Sequence, residues 1–303
     1  MAAEGGTKAT VAALAANFAI ATAKFVAFAF TASASMLAEG IHSVTDTTNQ
    51  ALLLLGMHRA RRPATPEHPF GYGRERYFWA FIVAVVLFTA GGVASILEGY
   101  EKLRHPHEVS SFAWAIGVLL VAIVFESVSM VVAVREANAV RRTGWVKFIR
   151  HAKAPELPVL LLEDGGALLG LFIALTGVTL ASVTEEPRYD AAGSLAIGVL
   201  LCIIAIVLAV ELRSLLIGES ASSANIRTIE EAVREDPDVE SLIHMRTQHI
   251  GPDELLVGIK VHLRNNLPFT KVARVINRIE TRVRKRVPAA RLMYIEPDVR
   301  TKH

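Results

Sequence analysis

Glu39, His42 and Asp46 follow one another at steps of three and four residues in the stretch Leu37-Ala38-Glu39-Gly40-Ile41-His42-Ser43-Val44-Thr45-Asp46-Thr47-Thr48-Asn49. On a helix that spacing puts all three on one face, with Ser43 and Asn49 beside them. The surrounding segment is apolar enough to enter a bilayer, where a single ionisable residue near the middle of a span costs roughly 2.5–3.5 kcal/mol. Three on one face imply either a working site or a hydrogen-bonded cluster that fixes helix packing. An imidazole nitrogen and a carboxylate oxygen one helical turn apart suit a small transition-metal ion such as zinc.

The elements that would hold such a site are legible in the distribution of apolar residues. The 303 residues are 52% hydrophobic, and the apolar ones fill residues 9 to about 215 while the remainder is charged and ordinary. This predicts a membrane domain over 1–215 and a soluble domain over 216–303. A net charge of +3 is too small to point to nucleic acid as a partner. The single cysteine, Cys202, has no internal disulfide partner, which fits a reducing compartment. The run Ala9–Phe30 has the Lys8 flank and the small residues of a secretory leader, but it is long for one and contains Asn17 and Lys24. With further spans behind it, it reads as a first transmembrane helix.

A span needs about 20 mostly apolar residues, and six are expected: about 9–31, 36–57, 77–100, 112–134, 157–182 and 190–212. The links after spans two and four are rich in arginine and lysine: Arg59, Arg61, Arg62, Arg74 and Arg76 in one, Arg135, Arg141, Arg142, Lys147, Arg150 and Lys153 in the other. The links after spans three and five are poor in them. Positive residues favour the cytoplasmic side, so both termini are expected there. Lys24 and Glu98 are expected to snorkel or pair near an interface, and Asp190 to cap span six.

Span five starts behind Pro155 and contains Glu163 and Asp164. Adjacent helix positions point about 100° apart, so at most one of the two aims squarely at a shared site. Gly165, Gly166 and Gly170 are expected to let a neighbouring helix close in and bring Asp164 opposite His42 and Asp46. Beyond Glu219 the pattern reads as a helix at 225–235, strands at 239–249 and 254–264 around Gly251-Pro252-Asp253, a helix at 269–286 and a strand at 290–296. Leu256, Gly258, Lys260, His262 and Arg264 alternate with Val257, Ile259, Val261 and Leu263 in the second strand. The order α-β-β-α-β makes a small α+β domain, ferredoxin-like, with helices on one face of a sheet.

Six spans, this soluble domain and His42-Ser43-Val44-Thr45-Asp46 on span two resemble the cation diffusion facilitators. Asn17 and Lys24 followed by Ser33 to Leu37, the segment His68-Pro69-Phe70-Gly71-Tyr72-Gly73-Arg74, and Ile295-Glu296-Pro297 near the end also resemble that family. The resemblance implies a divalent-metal/proton antiporter, an integral multi-pass protein of the cell (inner) membrane that works as a homodimer and is not an enzyme. It takes no cofactor beyond the transported ion, zinc in the first place, with protons as counter-ion.

The resemblance also implies ligands. Zinc-selective members repeat His-x-x-x-Asp on span five, but here Leu160 stands four residues before Asp164, and Glu163 precedes it. That Leu-Glu-Asp segment resembles a divergent branch which includes mitochondrial zinc exporters. The implied ligands are His42, Asp46 and Asp164, with Glu163, Glu39 or water as the fourth. The oxygen-rich set leaves manganese and iron open beside zinc. Of the family's loop site only His68 is matched, Thr65 and Tyr72 standing at the other positions. His244, His262 and Glu296 match ligand positions of the soluble domain, where solvated strand histidines are the alternative. Arg74 matches a basic residue that pairs with an acid near the end of span six, here Glu211 or Glu219. A membrane-anchored metal sensor or scaffold remains the alternative function.

Overall fold

The computed structural model describes residues 34–105, 112–141 and 144–298 with single positions between 11 and 29, and only the backbone of residues 34–42. Eleven of the 23 residues of the expected first span 9–31, Lys24 included, lie outside the described residues. The chain divides into two compact units, Met1–Arg59 with Glu75–Arg213, and Ala60–Arg74 with Ser214–His303.

The first unit is helical. Helix α1 runs over Ala34–Ala60, α2 over Glu75–Arg104, α3 over Phe112–Val140, α4 over Trp145–His151, α5 over Glu156–Thr184 and α6 over Arg188–Ile217. Helices α2, α3, α5 and α6 are each long and apolar enough to cross a membrane. α1, the expected second span, has 27 residues, but its polar face dilutes its apolar character. Leu97, Leu120, Val124, Phe172, Val199, Ile206 and Val210 stand exposed on the four apolar helices, as a lipid-facing surface requires. The short α4, in the basic link, was not legible in the sequence.

Turn chemistry and small residues set how these helices meet. Glu185 takes a left-handed conformation at φ 57 and ends α5, and Pro187 follows just ahead of α6. Within α2 the segment Leu87–Val93 widens into a π-helical turn. There α2 and α6 meet backbone to backbone: a Cβ on Gly198 would lie 2.8 Å from Ile96 N and 2.9 Å from Gly92 O. On the other side of α6, a Cβ on Gly177 of α5 would lie 3.0 Å from Tyr189 O.

Several expectations change here. Gly166 and Gly170 of α5 face Ile204 and Ile197 of α6, and Gly165 faces Met130 of α3, so the close approach is not to the second span. Asp190 lies inside the first turn of α6, not at its cap, and its carboxylate takes Lys102 at 3.1 Å. Lys102 also takes Glu98 at 3.0 Å, one turn away on α2. Glu211 accepts from Arg150 at 3.2 Å.

The second unit holds α7 (Ser223–Arg234), β1 (Val239–Gly251), β2 (Glu254–Leu263), α8 (Phe269–Arg286) and β3 (Leu292–Pro297). β2 is central, antiparallel to β1 and parallel to β3. Its odd-numbered residues Val257, Ile259 and Val261 are buried against Ile229 and Val233 of α7 and Val275, Ile279 and Val283 of α8. The alternation read from the sequence thus sorts the two faces. Ser222 caps α7 by accepting the Asn225 N–H at 3.2 Å. Residues 60–74 group with this unit, where a Cβ on Gly73 would lie 2.7 Å from Ile250 O.

Candidate metal centre

The buried polar face of α1 is carried by Ser43, Asn49 and Gln50, with Asp46 half-buried among them. Glu39 and His42 lie on the same helix, seven and four residues ahead of Asp46, and their side chains are outside the described residues. On α5 the first turns are buried from Glu156 to Leu161, and Glu163 and Asp164 follow at 5% and 4% exposure.

The two neighbouring acids of α5 turn to different helices, as their 100° separation requires. Glu163 Oε1 accepts from Asn49 Nδ2 of α1 at 2.7 Å. Asp164 Oδ2 accepts from Ser129 Oγ of α3 at 2.7 Å. Asp46 and Glu126 stand close enough for their charges to act on both Glu163 and Asp164. Glu163 and Asp164 are thus buried on α5, with Asp46 of α1 and Glu126 of α3 half-buried nearby.

Packing between α3 and α5 explains Leu160. Ala133 and Ala137 of α3 form a buried cluster with Leu160 and Leu161 of α5, joined by Met130, Val134 and Phe148. Leu160, 2% exposed, fills a hydrophobic joint one turn before Asp164. The polar residue offered at that depth comes from α3 instead. Ser129, one turn before Ala133, was absent from the sequence reading. Its local signal is weak: it shares a helix face with Glu126, but Ser127 stands between them as a second hydroxyl of the same span.

The weaker candidates are engaged elsewhere. The His68 ring stacks on Tyr72 with centroids 4.7 Å apart, and Tyr72 Oη lies 3.2 Å from Thr65 Oγ1, so the three loop positions form a stacked, hydrogen-bonded group. On the open face of the sheet His244, Lys260 and Glu296 form one cross-strand row. Lys260 takes Glu296 at 3.2 Å and Asp298 at 2.7 Å, which places a cation between the two expected ligands. His262 sits between Glu240, 3.0 Å from Nε2, and the Asp298 carbonyl, 3.1 Å from Nδ1. Among the described residues no group of three or more histidine, cysteine or acidic side chains closes to metal-binding distance. Asp46, Glu163 and Asp164 are among those described residues, whereas the side chains of Glu39 and His42 are not.

Acids buried in membrane-length helices, as Glu163 and Asp164 are here, mark ion pathways and proton relays as a class. Residues 10–217 match the family model described as the cation efflux transmembrane domain. The chain belongs to the cation efflux family, the cation diffusion facilitators. It is 34% identical over 231 residues to the protein named proton-coupled zinc antiporter SLC30A9, mitochondrial, of Mus musculus, covering 75% of this chain and 41% of that protein. It is 32% identical over 248 residues to metal tolerance protein C4 of Arabidopsis thaliana, covering 81% of this chain and 54% of that one. With the cation-efflux pump FieF of Salmonella typhi it shares 24% identity over 284 residues, covering 94% and 90%. The chain thus spans 41% of the length of the mouse relative.

Proposed function

We propose that this chain is a secondary active carrier that exports zinc from the cytosol in exchange for protons. The observation that carries the reading is the pair of acids buried on α5, Glu163 held by Asn49 of α1 and Asp164 by Ser129 of α3, inside helices long and apolar enough to cross a membrane. The names of the mouse and Arabidopsis relatives, one a zinc antiporter and one a metal tolerance protein, agree with it. His42, Asp46 and Asp164 are the proposed ligands of the transported ion, with Glu163 or Glu39 completing the set. The proposed division of labour is transport in 1–215 and a cytosolic metal-binding and dimerisation domain in 216–303. The protein is proposed to act as a homodimer in the cell (inner) membrane, with the segments flanking the six spans on the cytosolic side.

The chemistry follows from the donor set. Metal binding needs neutral imidazole and ionised carboxylates, so metal and protons compete for the same atoms. A site that faces the cytosol loses protons and takes metal. The same site facing a proton-rich side takes protons and releases metal. A cycle that exposes it alternately couples the two fluxes. The test is transport in proteoliposomes with metal-sensitive and pH-sensitive dyes and a panel of zinc, manganese, iron, cobalt and cadmium. Wild type is expected to move zinc with opposite proton flux, and His42→Ala or Asp46→Ala to abolish both while the protein folds. Metal flux without proton movement would indicate a channel, binding without flux a sensor or scaffold.

A further inference from the structure

The serine that holds Asp164 has a consequence for which ion the site accepts. We propose that Ser129 is a positioning residue: it occupies Oδ2 of Asp164 and leaves Oδ1 as the one oxygen this carboxylate offers a metal. The inference rests on the antiporter reading above and deepens it by naming a determinant of ion choice.

The geometry is specific. Ser129 Oγ donates to Asp164 Oδ2 at 2.7 Å, and Asp164 is 4% exposed, so bulk water does not compete for that oxygen. Both residues are held by the same joint, one turn from Ala133 on α3 and one turn from Leu160 on α5, in a cluster of buried apolar side chains. The neighbouring acid is held apart by a different donor, Asn49 Nδ2 of α1. Each carboxylate therefore has one oxygen committed to a protein donor from a separate helix.

The chemistry of carboxylate ligation gives this meaning. Zinc is satisfied by four ligands in a tetrahedron, each carboxylate giving one oxygen at about 2.0–2.2 Å. Larger, harder ions with higher coordination numbers gain from carboxylates that bind through both oxygens. A hydroxyl parked on Oδ2 penalises the second mode and leaves the first intact. Leu160 withholds the nitrogen donor that would otherwise mark the site for zinc, and the Ser129 hydrogen bond supplies selection by denticity instead.

The test compares wild type, Ser129→Ala, Ser129→Thr and Ser129→Cys in full-length protein. Zinc and manganese binding are read by calorimetry in detergent, and transport is read in proteoliposomes. Ser129→Ala is expected to lower the zinc-over-manganese preference, in affinity and in kcat/KM, by roughly tenfold, the scale of one hydrogen bond to a charged group. Ser129→Thr, which keeps the hydroxyl, is expected to restore the preference. A merely structural role would weaken both ions alike and leave the ratio unchanged. Should Ser129→Ala not fold, Ser129→Cys, a weak donor of similar size, is expected to shift the ratio in the same direction. An unchanged ratio in the variants that fold, or a Ser129→Thr ratio that falls with Ser129→Ala, overturns the proposal. If wild type binds zinc but moves no ion, the antiporter reading fails while the binding ratio still decides the role of Ser129.

Discussion

Arg76, the second residue of α2, makes a two-toothed ion pair with Glu156, the first residue of α5. Nε lies 2.5 Å from Oε1 and Nη2 2.8 Å from Oε2, with the side chains 8% and 2% exposed. The pair ties the starts of two membrane-length helices. Glu156 also stands where the helix dipole favours negative charge. Arg76 is one of the basic residues of the link after span two, and the sequence suggested only that it marks the cytoplasmic side.

Breaking this pair is expected to be costly. Losing one partner of a buried ion pair leaves the other charge uncompensated, which costs about 3–5 kcal/mol. Arg76→Gln and Glu156→Gln are each expected to lower the unfolding midpoint of the detergent-solubilised protein. The swapped double variant Arg76→Glu/Glu156→Arg is expected to recover part of the loss. A single variant as stable as wild type would show that the pair contributes nothing.

Acid sensitivity is expected in the second unit. Arg278 holds Asp236 through Nε at 2.9 Å and Nη2 at 2.7 Å, and reaches Asp238 at 2.9 Å, while Lys271 takes Asp238 at 3.0 Å. Burial alone would raise the Asp236 carboxyl, but the Arg278 and backbone hydrogen bonds and the charges of Arg278 and Arg282 prevail and hold it below the usual range. Hydrogen bonds from Lys271 and then Arg278 hold Asp238 low as well. A carboxyl more acidic in the folded than in the unfolded state contributes its full stability above its unfolded pKa. That contribution fades as pH falls from about 4, the unfolded aspartate value, through the lower folded values. Protection factors of the α8 amides in the full protein are expected to fall over that range. Arg278→Leu is expected to lower protection at neutral pH and flatten its acid dependence; an unaltered profile would count against this account.

Glycines at close helix contacts should not tolerate even a methyl group. A Cβ on Gly198 would meet backbone atoms of α2 at 2.8 and 2.9 Å, which no rotamer change relieves. Gly198→Ala is expected to destabilise by about 1–3 kcal/mol, the usual cost of overpacking. Gly117 of α3 has nothing within 4 Å of its added Cβ. Gly117→Ala is expected to be neutral or to stabilise by up to about 1 kcal/mol through the better helix propensity of alanine. Equal thermal stability for the two variants would refute the contrast.

What the sequence disclosed and what it withheld divide along a physical line. Periodicity and punctuation locate faces and ends: Pro268 precedes a helix whose bounds, Phe269–Arg286, match the expectation, and the alternation of β2 sorts its buried side. Partners across space are another matter. Nothing local distinguishes Ser129 from the other hydroxyls of an apolar span, or Arg76 from its basic neighbours. Asp190 looked like a cap because an acid at a helix start usually is one, and only the position of Lys102 on α2 shows its actual partner. Glu163 and Asp164 were legible as a pair that must diverge, because that follows from helix geometry alone. Which helix each would meet did not follow.

The glycine seams of α6 bear on how its neighbours can move. Side-chain knobs seated in holes must withdraw before two helices shift past each other. At Gly177 and Gly193 α6 meets α5 with backbone and no knobs, while at Gly92 and Gly198 the side chains of Cys202 and Ile96 seat against the glycines. The π-helical turn of α2, where its hydrogen bonding already departs from the regular ladder, lies at the seam of Gly92 and Gly198. Helix α6 is therefore keyed to α2 by Cys202 and Ile96 and to α5 by Ile197 and Ile204, and only its end at Gly177 and Gly193 can shift against α5 without moving side chains.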